Sequence, residues 1–165
     1  MNTLPAIARD DLRGVMACFA TGVAVVTAAP PGGPAVGMAV NSFVSVSLDP
    51  PLVLFCAAHT SSTWPAIRAA GHFCANVLAS GQEELARAFA RKGDRFAGVA
   101  HSPGITGAPV LRDVHAHVEC KIVETFEAGD HTVVLGRVLG LHADTEATPL
   151  LFYRSAYRLF RPPAT

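Results

Sequence analysis

The sequence predicts a mainly β fold with a few helices, closed as a small barrel. Three observations lead there: strand-like alternation or short apolar runs recur at least six times, helical periodicity is confined to short stretches, and Pro- and Gly-rich breaks separate the runs. At 165 residues, 1–165 reads as one domain. A chain of that length can bury about 68–70% of its unfolded surface around one core.

Each element has a local reason. Asp10 and Asp11 precede Leu12, Val15, Met16 and Phe19, whose spacing predicts one apolar helical stripe ending near Thr21-Gly22. Val23 to Ala28 is β-branched and apolar, and Pro30-Pro31-Gly32-Gly33-Pro34 is a turn, so a hairpin leads towards Gly37. From Phe43 to Leu48 the chain alternates, with Val44, Val46 and Leu48 on one side and Phe43, Ser45 and Ser47 on the other. Asp49-Pro50-Pro51 breaks that strand, and Leu52 to Cys56 is a short apolar run that predicts a strand buried on both faces. Ser61, Ser62 and Thr63 come just before Trp64-Pro65-Ala66-Ile67-Arg68, a short helix bracketed by Pro65 and Gly71. Backbone N–H groups at a helix start, joined by hydroxyls, make an anion site, although the same residues suit ordinary capping.

Further on, His72 to Ala79 alternates as a strand, with Asn76 polar among apolar neighbours. Ser80-Gly81-Gln82-Glu83 reads as a capping box for a helix through Arg91, with Leu85, Ala88 and Phe89 inward. Residues 92–109 are rich in Gly and Pro, with Arg95 and Phe96 the first large side chains, and read as a long surface loop placed to cover a ligand. Val114 to Phe126 and Thr132 to His142 form a long hairpin with Asp130-His131 at its tip. A last strand runs from about Ala156 to Phe160.

Composition narrows the function. Lys plus Arg and Asp plus Glu each number 13, so the chain has no electrostatic footprint for nucleic acid or an anionic membrane. Half the residues are hydrophobic and only 16% are charged, which predicts surface covered by a second copy, a homodimer. Cys18, Cys56, Cys74 and Cys120 are widely spaced and read as reduced core residues, consistent with a cytoplasmic protein. The start, MNTLPAIARDDLR, lacks an export pattern, and no run reaches the ~18 apolar residues of a membrane span. His115 and His117 share a strand face without a third ligand placed by sequence, so no metal is assigned. There is no GxGxxG after a strand, no GxxxxGK[ST] and no GxSxG, which disfavours Rossmann, P-loop and serine hydrolase chemistry.

Taken in order, TGVAVVTA at 21–28, GMAVNSF at 37–43, SVSLDPPLVLFC at 45–56, SSTW at 61–64, FCANVL at 73–78, GDHTVVLGRV at 129–138 and PLLFYRSAY at 149–157 resemble the flavin reductase family across nearly the whole chain. That resemblance implies an FMN-binding split β-barrel with Greek-key order, homodimeric, with flavin near the subunit interface. It implies reduction of FMN or FAD by NADH or NADPH, and delivery of the reduced flavin to a partner monooxygenase. Ala39, Val40, Asn41 and Ser42 would lie beside the isoalloxazine and ribityl chain, Phe55 and Ala57 would end the strand beneath it, and Ser61, Ser62 and Thr63 would hold the phosphate. Many relatives carry Thr-Ala where this chain has Ala39-Val40, and the lost hydroxyl is expected to weaken flavin retention or shift the choice between FMN and FAD. His131 resembles the family histidine near the nicotinamide, whereas by position alone it reads as an exposed turn histidine. Tyr153 and Arg154 are candidates to reach the dinucleotide, and core packing and a surface charge explain them equally well. Two other functions fit this fold: a non-catalytic flavin- or heme-binding protein, and a flavoenzyme acting directly on an organic substrate.

Overall fold

A computed structural model describes residues 6–161; the first five residues of the stretch read for an export pattern lie outside it, as do 162–165. The described elements are α1 (Arg9–Met16), β1 (Thr21–Gly22), β2 (Ala24–Ala28), β3 (Val36–Val40), β4 (Val44–Leu48), β5 (Pro51–Ala58), α2 (Trp64–Ala70), β6 (His72–Val77), α3 (Glu83–Ala90), β7 (His101–Pro103), β8 (Pro109–Leu111), β9 (Ala116–Ala128), β10 (His131–Ala143), β11 (Leu150–Tyr153) and β12 (Ala156–Leu159). Seven strands form one antiparallel sheet in the order β3-β2-β6-β9-β10-β5-β4, beside a three-stranded sheet β1-β11-β12 and the small hairpin β7-β8.

That order forces curvature. β3 and β4 are opposite edges of the seven-stranded sheet, yet only residues 41–43 join them. Four Cα–Cα steps reach about 14 Å, whereas six inter-strand spacings in a flat sheet amount to about 29 Å. The sheet therefore rolls up until β3 meets β5, where the two are in contact but share no ladder. The barrel is split along this seam, and one side chain fastens it: the Cys56 N–H donates to Ser42 Oγ at 2.9 Å.

Inside the roll lie Val26, Met38, Val53, Phe55, Trp64, Phe73, Cys120 and Val134. Phe55 packs edge-on against both Phe73, at 5.1 Å between centroids, and Trp64, at 6.1 Å. A second cluster, with Val23, Val25, Leu78, Phe89, Leu111 and Leu150, covers the other face of β2 beneath α3, so every residue of β2 is buried. Asn76 is fully buried between them and fully employed: Nδ2 donates to Val25 O and Thr27 Oγ1, both at 3.0 Å, and Oδ1 accepts from Leu111 N at 2.8 Å. Its polarity serves to tie the β7–β8 hairpin to the sheet.

Several expectations change. β5 runs from Pro51 to Ala58 and alternates, burying Val53, Phe55 and Ala57 while Leu52, Leu54 and Cys56 are only part-buried, because its other face opens towards the seam and loops. The capping box does not form: Ser80 Oγ accepts from Thr148 Oγ1, and Gln82 caps backwards by accepting from Ala79 N at 2.9 Å. Of the residues expected inward on α3, Phe89 is fully buried, but Ala86 takes the place given to Leu85 and Ala88, which are half-buried. The 92–109 segment is not wholly a loop, since β7 and β8 pair within and just beyond it. Cys74 and Cys120 are buried, whereas Cys56 is half-buried and Cys18 exposed, so the core reading fails for Cys18. Burial drives both core thiols up, Cys120 to about 12, so they stay protonated. The α1 stripe also faces outward, with Val15 69% and Phe19 68% exposed, and so does the apolar side of β4, with Leu48 90% exposed.

Gly136 sits at a close approach inside the barrel, since a Cβ there would lie 2.6 Å from Phe73 Cζ and 3.0 Å from Cys120 Cβ. Gly136→Ala is expected to destabilise the chain by about 1–3 kcal/mol through overpacking. A shift of the urea unfolding midpoint to lower concentration checks this; an unchanged midpoint would contradict the packing described.

Candidate active site

At the seam lies a cavity of about 410 Å³. One wall is the end of β3, from Met38 to Val40, continuing into Asn41 and Ser42. The second wall is Cys56 and Ala58 of β5 and the loop Thr60-Ser61-Ser62 that follows. Phe89 and Ala90 at the end of α3, with Lys92 and Arg95 beyond it, form the third. His131 enters from the β9–β10 tip because the register of β10 places it opposite Ala58.

β3 has a partner, β2, on one side only. Its outward peptide groups are therefore open to a flat heterocycle wherever no side chain caps them. Ser42 contributes differently from expectation: its hydroxyl is engaged with the Cys56 backbone and holds the seam. Asn41 is exposed beside it, and its amide has no hydrogen bond among the described residues.

The hydroxyl loop also differs from its sequence reading. Ser61 Oγ accepts from Thr63 N at 3.3 Å and Trp64 N at 3.2 Å, so the first N–H groups of α2 are already occupied. Ser62 is exposed at the rim, while Thr63 is buried and turned away from the cavity, its Oγ1 accepting from Arg95 Nη1. The same Nη1 donates to Gly37 O at 2.6 Å. Arg95 thus locks the post-α3 loop against β3 and brings a cation to the place where hydroxyls were expected to serve alone. Desolvation lowers its pKa, yet a guanidinium stays charged near neutral pH. With Lys92 it makes the cavity locally positive in a chain of zero net charge, and no carboxylate lines the wall. Neither Lys92 nor Arg95 followed from the alternation patterns; the signal available was a basic cluster, Arg91, Lys92 and Arg95, directly after a helix.

Phe55 and Ala57 do not line the cavity. The strand period turns them into the barrel core, and the intervening Cys56 and Ala58 face the opening. Ala39, Val40, Asn41, Ser42, Ser61, Ser62 and His131 are brought together around it. Tyr153 and Arg154 lie off this wall, where Arg154 stacks over the Tyr153 ring at 5.3 Å and lines a separate hollow near α1.

His131 is half-exposed, and its Nδ1 lies 2.7 Å from Asp130 Oδ1. A carboxylate only accepts, so Nδ1 carries the proton of this bond and Nε2 is left to meet a ligand. The histidine holds the Asp130 carboxyl below its ordinary value, mainly through that hydrogen bond. Among the described residues, no three His, Cys, Asp or Glu side chains are grouped to hold a metal ion. No helix there is long and apolar enough to cross a membrane.

A family model described as a flavin reductase like domain matches residues 16–161. A flavin reductase from Pseudomonas putida is 44% identical over 146 residues, covering 88% of this chain and 86% of its own. The reductase subunit of a flavin-dependent monooxygenase from Rhodococcus jostii is 43% identical over 154 residues, 93% of this chain and 78% of its own. Among solved structures, an NADH:FAD oxidoreductase of Streptomyces globisporus superposes with a TM-score of 0.90 at 38% identity, across 98% of this chain and 99% of that one.

The Asp130–His131 bond has a titration signature. A depressed carboxyl pKa means the pair favours the folded chain above the ordinary value of 3.8 and loses that contribution as pH falls through the depressed one. A carboxyl-detected NMR titration is expected to place the Asp130 midpoint below 3.8, and His131→Ala to move it back up.

Proposed function

This chain belongs to the flavin reductase like domain family, and from that premise we propose that it is an NAD(P)H:flavin oxidoreductase supplying reduced FMN or FAD to a partner monooxygenase. The observation that carries the reading is a single cavity uniting an unpaired strand edge, two cations and an oriented histidine. Those features fit a flavin. The isoalloxazine needs peptide donors and acceptors for its polar edge, which the free side of β3 offers, and its anionic tail needs positive charge, which Lys92 and Arg95 supply. The volume lies within the range of small-molecule sites.

In this proposal Ala39, Val40 and Asn41 contact the ring and ribityl chain, and Ser42 keeps that wall in place. Phe55 and Ala57 support the wall from within the core. Ser62 and Arg95 face the phosphate, with Ser61 and Thr63 holding the loop in shape. A bound flavin supplies a ring that accepts hydride. The protein's share is alignment: the β3 edge fixes one reactant, and His131, steadied by Asp130, presents Nε2 to the nicotinamide of the other. The same imidazole can also pass a proton.

We further propose that the whole chain works as a cytoplasmic homodimeric domain. The support is apolar surface: the α1 stripe and the β4 face leave Val15, Phe19, Val46 and Leu48 exposed, side chains that a second copy would cover. Val15→Glu combined with Leu48→Glu is expected to shift the protein from dimer to monomer in sedimentation experiments. A wild-type monomer at micromolar concentration would refute the dimer.

Anaerobic mixing with NADH or NADPH and free flavin tests the activity through bleaching of the flavin absorbance. His131→Ala is expected to slow reduction about tenfold or more while changing the flavin Kd by less than about twofold. Equal rates for variant and wild type would remove His131 from the reaction, and no bleaching by the wild type would sink the reductase reading itself.

A further inference from the structure

Two parts of the cavity wall lie at the end of the β5–β10 ladder: the loop Thr60-Ser61-Ser62, which leaves β5, and His131, which opens β10. His59 stands at the root of that loop. Its N–H donates to Asp130 O at 3.0 Å, which carries the ladder one residue beyond β5. Its ring then reaches past β10 to β9, where Nε2 lies 2.8 Å from Glu127 Oε2. A carboxylate only accepts, so Nε2 carries the proton of this bond, and the bond forms whether or not the ring is charged. The other oxygen, Glu127 Oε1, accepts from the Thr132 hydroxyl at 3.3 Å, and Thr132 is buried. In register Thr132 faces Ala57 on one side and Glu127 on the other, so this row of side chains crosses three strands. Strand alternation puts the row on the face opposite His131 and Ala58, and His59, Glu127 and Thr132 do not line the cavity.

We propose that His59 and Glu127 are a positioning pair for hydride transfer, which fixes from behind the cavity the separation between the Thr60–Ser62 wall and the His131 tip. This rests on the flavin reading above, in which the loop helps to hold the flavin and His131 meets the nicotinamide. Neither member of the pair touches a reactant. Their effect comes from where the ladder ends, because strand ends and loops open more readily than the middle of a sheet. The loop turns away from β5 directly after Ala58, whose carbonyl accepts from Ser61 N at 2.9 Å, so its angle to β10 is set at His59. A misplacement of about 1 Å between reacting groups is enough to cost about a hundredfold in rate. An isolated exposed ion pair contributes little, since two long side chains must be ordered to make it. Here the carboxylate is already anchored by Thr132 and uses both oxygens, which leaves only the imidazole to be placed.

The test is anaerobic stopped-flow reduction of the FAD-saturated full chain by NADH, with the FAD Kd and the urea midpoint measured on the same samples. His59→Ala and Glu127→Ala are each expected to lower the limiting rate at saturating NADH about three- to tenfold, with the FAD Kd and the half-saturating NADH concentration within about twofold of wild type. The double variant is expected to be no slower than either single one, because the two residues act through one bond. His59→Gln, whose amide donates at a similar reach, is expected to keep the rate within about twofold of wild type. A lower urea midpoint with an unchanged limiting rate would make the pair a brace for the fold and overturn the proposal. Losses that multiply in the double variant, or a His59→Gln as slow as His59→Ala, would overturn it too. Absence of bleaching in wild type would strike the flavin reading, and this proposal with it.

Discussion

The short link from β3 to β4 is the constraint on which the rest depends. Three residues, 41–43, must join the two edges of a seven-stranded sheet, and no flat sheet lets them reach. Rolling the sheet brings β3 against β5, but the ends meet without a ladder. An unpaired edge inside a fold is ordinarily a liability, because each unmatched peptide group removed from water costs about 1–3 kcal/mol. Here the edge is left beside an open cavity, where a ligand can complete it.

Charge follows from the same geometry. The chain is electrically neutral overall, and any long-range attraction of an anion is weak. Arg95 overcomes this locally: besides Arg91 O at the end of α3 its guanidinium bonds a β3 carbonyl and the Thr63 hydroxyl, which fixes a cation and joins the loop to the barrel at once. Partial burial strengthens its interaction with an anion relative to a fully wet lysine. The hydroxyl loop is then chiefly a shaping element, since Ser61 is occupied in closing its own turn.

Much of this was legible from local pattern. The alternation around Phe43 to Leu48, the His72 strand, the long hairpin ending at Asp130-His131 and the turn at 30–34 all correspond to observed elements. These depend on periods of two residues and on breakers, which operate over short distances. Failures cluster where a distant partner decides the outcome. Ser80 abandons its capping box for Thr148, and Phe55 and Ala57 turn from the expected ligand to the core because the strand's inside face was not identifiable from the run LVLFC alone.

By itself the sequence determined which segments are strands, which residues are apolar, and, through an ordered set of motifs, the family to which they belong. Only the tertiary structure decided that Arg95 stands in the cavity wall, that Ser42 clasps a seam, and that a histidine 90 residues beyond Asn41 faces the same cavity. The physical reason is distance. Secondary structure is set by neighbours within a few residues, whereas a site is set by closure of the sheet, and no local pattern records which edge the curl will bring to which.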